Sequence, residues 1–289
     1  MRVISYAVPA TVDGAVAILA EHGPRARILA GGTDLIVQVR ENLRDCDVFV
    51  DVKHVPALTT IELTADGSMV LGAAVPCYQI YRDDRIRALF PALVDSASII
   101  GGTAIQGRAS IGGNLCNSGP AADSIPTLIV YSVVCDIVGP QGRRRVAVED
   151  FSTAPGRNVL APDELLVSLT FPAQPAQAGA HYLRFIPRDE MDIAEVGVAA
   201  QVVLNGDTIK SGRIALGAVA PTPLFVPAAT LAMAGMPAVE AAYEHAAVEA
   251  QLAAKPITDM RGTVEHRKHL VGVLTKRALR RAVERAKGA

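Results

Sequence analysis

Two short glycine-rich passages hold the residues whose types and spacing could do chemistry: LAGGTD at 29–34 and SIGGNLCNSGPAAD at 110–123. In the first, an apolar segment runs into Gly31 and Gly32, a hydroxyl follows at Thr33, and a helical pattern resumes at Leu35. A strand that ends in glycine and opens a helix points free main-chain N–H groups and the positive helix end at whatever lies above, which suits phosphate. Glycine at both positions keeps a Cβ out of the anion's path. Asp34 would repel phosphate, and it fits if its carboxylate turns back to cap its own helix. A double glycine after a strand is by itself commonly a plain turn. Two such passages, each following an apolar segment, suit a ligand with two phosphoryl groups clamped between opposed donor loops.

Other chemical signatures fail. No GxGxxG follows a strand, and no GxSxG elbow is present. Residues 102–109 imitate a phosphate-binding loop, but Arg108 replaces its lysine and Ala109 its hydroxyl. His266 and His269, three apart, read as a solvated surface pair. Cys46, Cys77, Cys116 and Cys135 are too scattered for a zinc or iron–sulfur site and fit a reducing compartment. Arg184, Arg188, Asp189, Glu190 and Asp192 form a mixed-sign cluster that reads as a solvated salt-bridge network.

The elements that must position the glycine passages follow from periodicity and turn chemistry. Residues 11–20 read as a helix capped by Thr11 or Asp13, with Val12, Val16 and Leu19 on one face. Strands are expected at 27–30 and 48–52, a helix at 35–40, and a hairpin about the Asp66-Gly67 pair. Residues 78–98 read as helical with a break at Pro91, and strands at 133–138 and 143–148 flank a Gly-Pro-Gln-Gly turn. The three arginines at 143–145 read as a solvated strand edge that discourages aggregation. A composition break at 172–180 reads as a linker. Beyond it come strands at 182–186, 196–204 and 213–219, with a tight turn at 205–207. Helices at 239–254 and 263–287 follow, the last with Leu270, Val271, Leu274, Ala278 and Ala282 as an apolar stripe.

A chain of 289 residues, half hydrophobic and one-fifth charged, can bury one large core or two smaller ones. Its net charge of −1 gives no electrostatic footprint for nucleic acid or for an anionic membrane. Tryptophan is absent, which argues against base-stacking platforms. The early residues make a poor signal peptide, and the longest apolar run is about half of the roughly twenty residues a bilayer needs. The expected location is the cytoplasm.

Five stretches carry a resemblance: ILAGGTDLIVQVR, ASIGGNLCNSGPAADSIP, APGRNVLAPDELLVSLTFP, YLRFIPRDEMDIAEVGVA and RGTVEHRKHLVGVLTKRAL. In this order, from the first helix to the last, the chain resembles the FAD-binding medium subunit of the molybdenum hydroxylases. That group holds the xanthine dehydrogenases, carbon monoxide dehydrogenases and related aldehyde or aromatic-ring hydroxylases. The resemblance implies an α+β protein with the PCMH-type FAD-binding fold. Two α/β subdomains would occupy 1–174, and a C-terminal subdomain of antiparallel sheet and helices would occupy 180–289. It places Leu29, Ala30, Gly31, Gly32, Thr33 and Asp34, and then Ser110, Ile111, Gly112, Gly113 and Asn114, around the diphosphate of a non-covalent FAD. Asp123 would hydrogen-bond a ribityl or adenosine hydroxyl. Ile100, Gly101, Leu166 and Val167 would line the flavin, and Arg184 would stand near its ring, where relatives often carry lysine. A cation there favours an anionic reduced ring.

The resemblance further implies [2Fe–2S] clusters on a small partner subunit and a molybdopterin cofactor on a large one, in a dimer of heterotrimers. The chain would take electrons one at a time from the iron–sulfur partner and pass them to an external acceptor. No side chain is assigned as catalytic acid or base, and no metal ligand. Peripheral contact with a membrane through the complex is compatible with this. Members that reduce NAD have an acid just before the DIA stretch, where this chain has Met191. The acceptor stays open among quinone, NAD, oxygen and a carrier protein. Two other readings are a stand-alone FAD reductase or oxidase of the same fold superfamily, and a flavin-free structural subunit. The first would need substrate acids and bases, of which no set stands out. The second would have no reason to keep the glycine passages.

Overall fold

The computed structural model describes residues 3–189 and 191–288. Its first layer is a small parallel sheet. Strand β1 (Ser5–Ala7) leads into helix α1 (Val12–His22), followed by β2 (Ala26–Leu29), α2 (Leu35–Arg40) and β3 (Val48–Asp51). The sheet order is β1-β3-β2, all parallel. Thr11 caps α1, its hydroxyl accepting the Gly14 N–H at 3.1 Å. Ala15, Val16 and Leu19 recur at helical spacing and bury against Val48, Val50 and Leu58. Leu58 belongs to the short helix α3 (Pro56–Thr59).

The second layer begins with β4 (Ile61–Leu63) and β5 (Met69–Gly72), then a run of short helices. These are α4 (Cys77–Arg82), α5 (Asp84–Leu89), α6 (Pro91–Ala97), α7 (Thr103–Gln106), α8 (Ile111–Asn117) and α9 (Ser124–Val130). The chain returns through β6 (Val134–Gly139), β7 (Gly142–Ala147), a minor ribbon of β8 (Ser152–Ala154) and β9 (Arg157–Asn158), and β10 (Leu165–Phe171). The five-stranded antiparallel sheet has the order β4-β5-β10-β6-β7. Phe90, Tyr131 and Phe171 meet edge-on or tilted in its core, ring centroids 5.3 to 6.1 Å apart. Of the three arginines on β7, Arg144 and Arg145 pair with Glu164 and Asp136.

The third layer holds β11 (Ala178–Phe185), β12 (Val196–Asn205), β13 (Thr208–Gly217) and β14 (Leu224–Phe225), antiparallel in chain order. Helices α10 (Pro227–Met233), α11 (Glu240–Ala253) and α12 (Val264–Ala286) complete it. Every residue of β12 except the last is buried, because both faces of this sheet are covered. Val196, Val198, Ala200, Val202 and Leu204 face the core built with α11 and α12. Ala199, with Ala180, Tyr182 and Ala215, joins the second-layer core instead. The period of two thus ties the third layer to the second. The expected stripe on α12 is buried in full; truncating one of its leucines to alanine costs about 2–5 kcal/mol. The linker is shorter than composition indicates, since β11 begins at Ala178, paired with Val203. Among the described residues no helix is long and apolar enough to cross a membrane.

Candidate functional site: a crevice between two glycine turns

The first glycine turn joins the end of β2 to α2. Gly32 has φ +75°, a conformation that favours glycine, and a Cβ there would meet Leu29 Cδ1 and Ile36 Cδ1 at 2.9 and 2.8 Å. Gly31 is required for a different reason. A Cβ there would lie 2.2 Å from the Arg108 carbonyl oxygen, so the first turn packs main chain to main chain on the approach to the second. Lys53 fixes the turn from behind: its Nζ donates to the Ala30 carbonyl at 3.2 Å and to Asp51 Oδ1 at 2.5 Å. Tyr6 donates its hydroxyl to the other Asp51 oxygen. Burial opposes ionisation of Asp51, but the bonds from Lys53 and Tyr6 outweigh it and hold the carboxyl below its ordinary value.

The second passage is not the loop its composition suggests. Residues 111–117 form α8, capped by Ser110, whose hydroxyl accepts the Gly113 N–H at 3.1 Å. Helical glycine is unfavourable by about 1 kcal/mol against alanine. Gly112 is tolerated because a Cβ would lie 2.4 Å from the Ala73 carbonyl oxygen, so only glycine lets α8 seat on the segment after β5. The Ser110 bond uses the Gly113 N–H, and the Asn114 N–H bonds to Ser110 O at 2.9 Å. The N–H groups of Ile111 and Gly112, in the first turn, are those an anion can use. Asp34 does not cap α2: it occupies the N-cap position, but its side chain makes no capping bond. It reaches solvent at the crevice edge instead, where desolvation raises its pKa.

Between the turns lies a crevice of about 470 Å³. Of the expected site residues, Ala30, Gly31, Gly32, Thr33 and Asp34 line it on one side, and Ser110, Gly112, Gly113 and Asn114 on the other. Ile100, Gly101 and Leu166 line it as well. Leu29 and Ile111 are buried beneath the turns, and Val167 faces the first-layer core. Asp123 and Arg184 lie outside the lining, as a buried pair. Arg184 Nη1 donates to Asp123 Oδ2 at 2.5 Å and the Tyr182 hydroxyl to Oδ1 at 2.8 Å. Burial pushes the Asp123 carboxyl up to about 6 against the opposing pull of Arg184 and Tyr182.

Several lining residues carry no local sequence signal. Ala73, Ala74 and Leu165 come from segments far apart in the chain, and Arg27, Gln38, Arg44 and Asn117 form the polar rim. Leu165 and Leu166 sit on β10 beside a register shift, and both line the crevice. The mixed-sign cluster divides. Arg188 and Asp192 pair at 3.6 Å on the surface, with Arg188 half open to solvent or more, whereas Arg184 is buried; Glu190 lies outside the described residues. Burial pushes the Cys77 and Cys116 thiols up to about 12, and they stay protonated at neutral pH. Among the described residues no three His, Cys, Asp or Glu side chains gather as a metal site.

A glycine turn facing the glycine-rich first turn of α8, with N–H donors on α8 and Ile100 in the apolar lining, defines a dinucleotide-type site. Residues 2–174 match the family described as the FAD binding domain in molybdopterin dehydrogenase, and residues 181–282 match the CO dehydrogenase flavoprotein C-terminal domain. The chain belongs to this family of FAD-binding subunits of xanthine and carbon monoxide dehydrogenase type molybdenum hydroxylases, and is an oxidoreductase subunit. It is 34% identical over 285 residues to the putative xanthine dehydrogenase FAD-binding subunit XdhB of Escherichia coli K12, covering 98% of this chain and 97% of that one. It is 29% identical to the carbon monoxide dehydrogenase medium chain of Afipia carboxidovorans, covering 98% and 97%. Among solved structures, carbon monoxide dehydrogenase from Hydrogenophaga pseudoflava superposes with a TM-score of 0.94 at 29% identity, covering 99% of this chain and 98% of that one. Quinoline 2-oxidoreductase from Pseudomonas putida 86 superposes at 0.91 and 27% identity, covering 98% of both.

The residues present fit FAD. Gly31 and Gly112 pack the two turns tightly onto neighbouring main chain, which preorganises the walls. A Cβ at Gly113 would meet only the Ser110 hydroxyl, at 3.0 Å, so that face of α8 is otherwise open.

Proposed function

We propose that this chain is the FAD-carrying electron-transfer subunit of a molybdenum hydroxylase. It would take electrons from a [2Fe–2S] small subunit beside a molybdopterin-bearing large subunit and pass them to an external acceptor. The division at 1–174 and 180–289, a cytoplasmic dimer of heterotrimers and non-covalent FAD complete the reading. The observation that carries it is one crevice lined on one side by the first glycine turn, packed on the Arg108 main chain, and on the other by the glycines of α8, seated on the Ala73 main chain.

In this reading Ala30 to Asp34 and Ser110 to Asn114 hold the diphosphate, with Leu29 and Ile111 as the buried supports of each turn. Ile100, Gly101 and Leu166 take the apolar ring, and Val167 anchors β10 beneath it. Asp123 and Arg184 form a charge-neutral buried pair at the edge of the site. FAD supplies the redox chemistry when bound, accepting electrons singly or in pairs. The chain's own residues bind, orient and shield it, and none is assigned as an acid or base.

Purification of the chain from its native host under mild conditions, with metal and flavin analysis, tests the role. We expect a small iron–sulfur chain and a large molybdenum chain to co-purify, and reducing substrate to bleach the flavin absorbance of the complex. A chain that purifies alone and turns over a substrate by itself would reject the subunit reading in favour of a stand-alone enzyme.

A further inference from the structure

The crevice ends differ in chemistry. Ile100 and Ile105 make one part of the lining apolar, whereas Arg27 on β2 and Arg44, four residues beyond α2, bring two guanidinium groups to another. Both are half-buried, and both also line an adjoining surface cavity. Each is anchored through its Nε. Arg27 Nε donates to the Asp45 carbonyl at 3.0 Å, and Arg44 Nε donates to Gln38 Oε1 at 2.7 Å. Among the described residues no terminal nitrogen of either fork makes a hydrogen bond or ion pair. Gln38 in turn donates from Nε2 to Asn117 Oδ1 at 3.1 Å, so Arg44 is tethered to α8 across the crevice.

Among the described residues neither guanidinium has a carboxylate within ion-pair distance, the nearby Asp45 meeting Arg27 through its main chain. Two cations placed together at a partly desolvated rim repel each other. Burial and the Arg44 charge pull Arg27 below its ordinary value by more than Asp45 restores. Such a pair is stabilised by a ligand rich in acceptors and carrying negative charge. A guanidinium fork matches phosphate and ribose oxygens, and its flat face stacks on a purine.

Resting on the assignment of the crevice to FAD, we propose that Arg27 and Arg44 form an adenylate clamp. They recognise the AMP half of the dinucleotide and make the chain select FAD over FMN, which lacks that half. Gln38 is the positioning residue that presents Arg44.

The test is titration of the flavin-stripped full chain with FAD and with FMN, followed by flavin fluorescence, and with AMP as competitor. The wild type should bind FAD more tightly than FMN by about 100-fold or more, and AMP should compete with FAD. Arg27→Met with Arg44→Met should weaken FAD by at least about tenfold, leave FMN unchanged and abolish AMP competition. Arg44→Met alone gives the same direction should the double variant melt early, and Gln38→Ala should mimic it more weakly. Unchanged FAD affinity in the variants would overturn the clamp, and so would a parallel loss for FMN, which would mean mere steering of phosphate. Failure of the wild type to bind either flavin would overturn the FAD assignment itself, and the clamp with it.

Discussion

Gly31 and Arg108 touch main chain to main chain, so closely that one added methyl group on Gly31 would sit 2.2 Å from the Arg108 carbonyl oxygen. The first glycine turn and the segment leading into the second are therefore a single packed unit. The separation of the crevice walls is set by this contact as well as by the space a ligand needs.

Replacement of Gly31 by alanine is expected to destabilise the protein by about 1–3 kcal/mol through overpacking against rigid main chain. FAD retention should be lost with it. Thermal melting and flavin content of the same preparation measure both, and an unchanged melting temperature would contradict the contact.

Gly113→Ala separates ligand space from packing. Its Cβ would meet only the Ser110 hydroxyl, at 3.0 Å, and alanine is the better helix former by about 1 kcal/mol. The apo-protein should melt within about 1 kcal/mol of wild type, while FAD affinity falls. Equal FAD affinity would place the diphosphate away from α8.

The buried Asp123–Arg184 pair should behave as one unit. Arg184→Met leaves the carboxyl buried without its cation, at a cost of about 3–5 kcal/mol, and the double variant Arg184→Met with Asp123→Asn should recover much of that loss. Urea unfolding of the four proteins closes the cycle, and simple additivity would show that the two groups are uncoupled.

Much of the third layer is legible in the sequence, because long amphipathic patterns outlast local noise. The α12 stripe is an instance; in the first layer the short helix Leu35–Arg40 also begins and ends where the sequence places it. The Asp66-Gly67 turn also forms as its residue types require, with Gly67 at φ +85°. What resists reading is what tertiary contact decides. The glycines of α8 disguise a helix that is held by Ser110 and by close approach to Ala73. Strand β10 pairs with β5 and β6, neither adjacent in sequence, so its apolar run carries no hairpin signal. Tyr6 reaches Asp51, beside the local Lys53 contact, only after β1 and β3 pair. Arg27 and Arg44, seventeen positions apart, become neighbours at the crevice only in the folded chain.

Asp95 joins the second layer to the third. His181 Nδ1 lies 2.6 Å from Asp95 Oδ2, and Arg285 grips both carboxylate oxygens at 2.6 and 2.9 Å. Burial opposes ionisation, but His181 and Arg285 outweigh it and hold the carboxyl below its ordinary 3.8. A folded-state value below the unfolded one gives stability that is present above about pH 4 and lost as pH falls through the folded value. Asp95→Asn should therefore cost about 3 kcal/mol or more at pH 7, and its deficit against wild type should shrink below about pH 4. Urea unfolding at stepped pH reads this directly; a deficit constant from pH 3 to 7 would assign the loss to shape rather than charge.

FAD binding is tested most directly by the flavin content of the chain, saturated with FAD, desalted and denatured. A yellow protein releasing one equivalent of intact FAD per chain is expected. A folded, colourless chain that retains no flavin after saturation would contradict it.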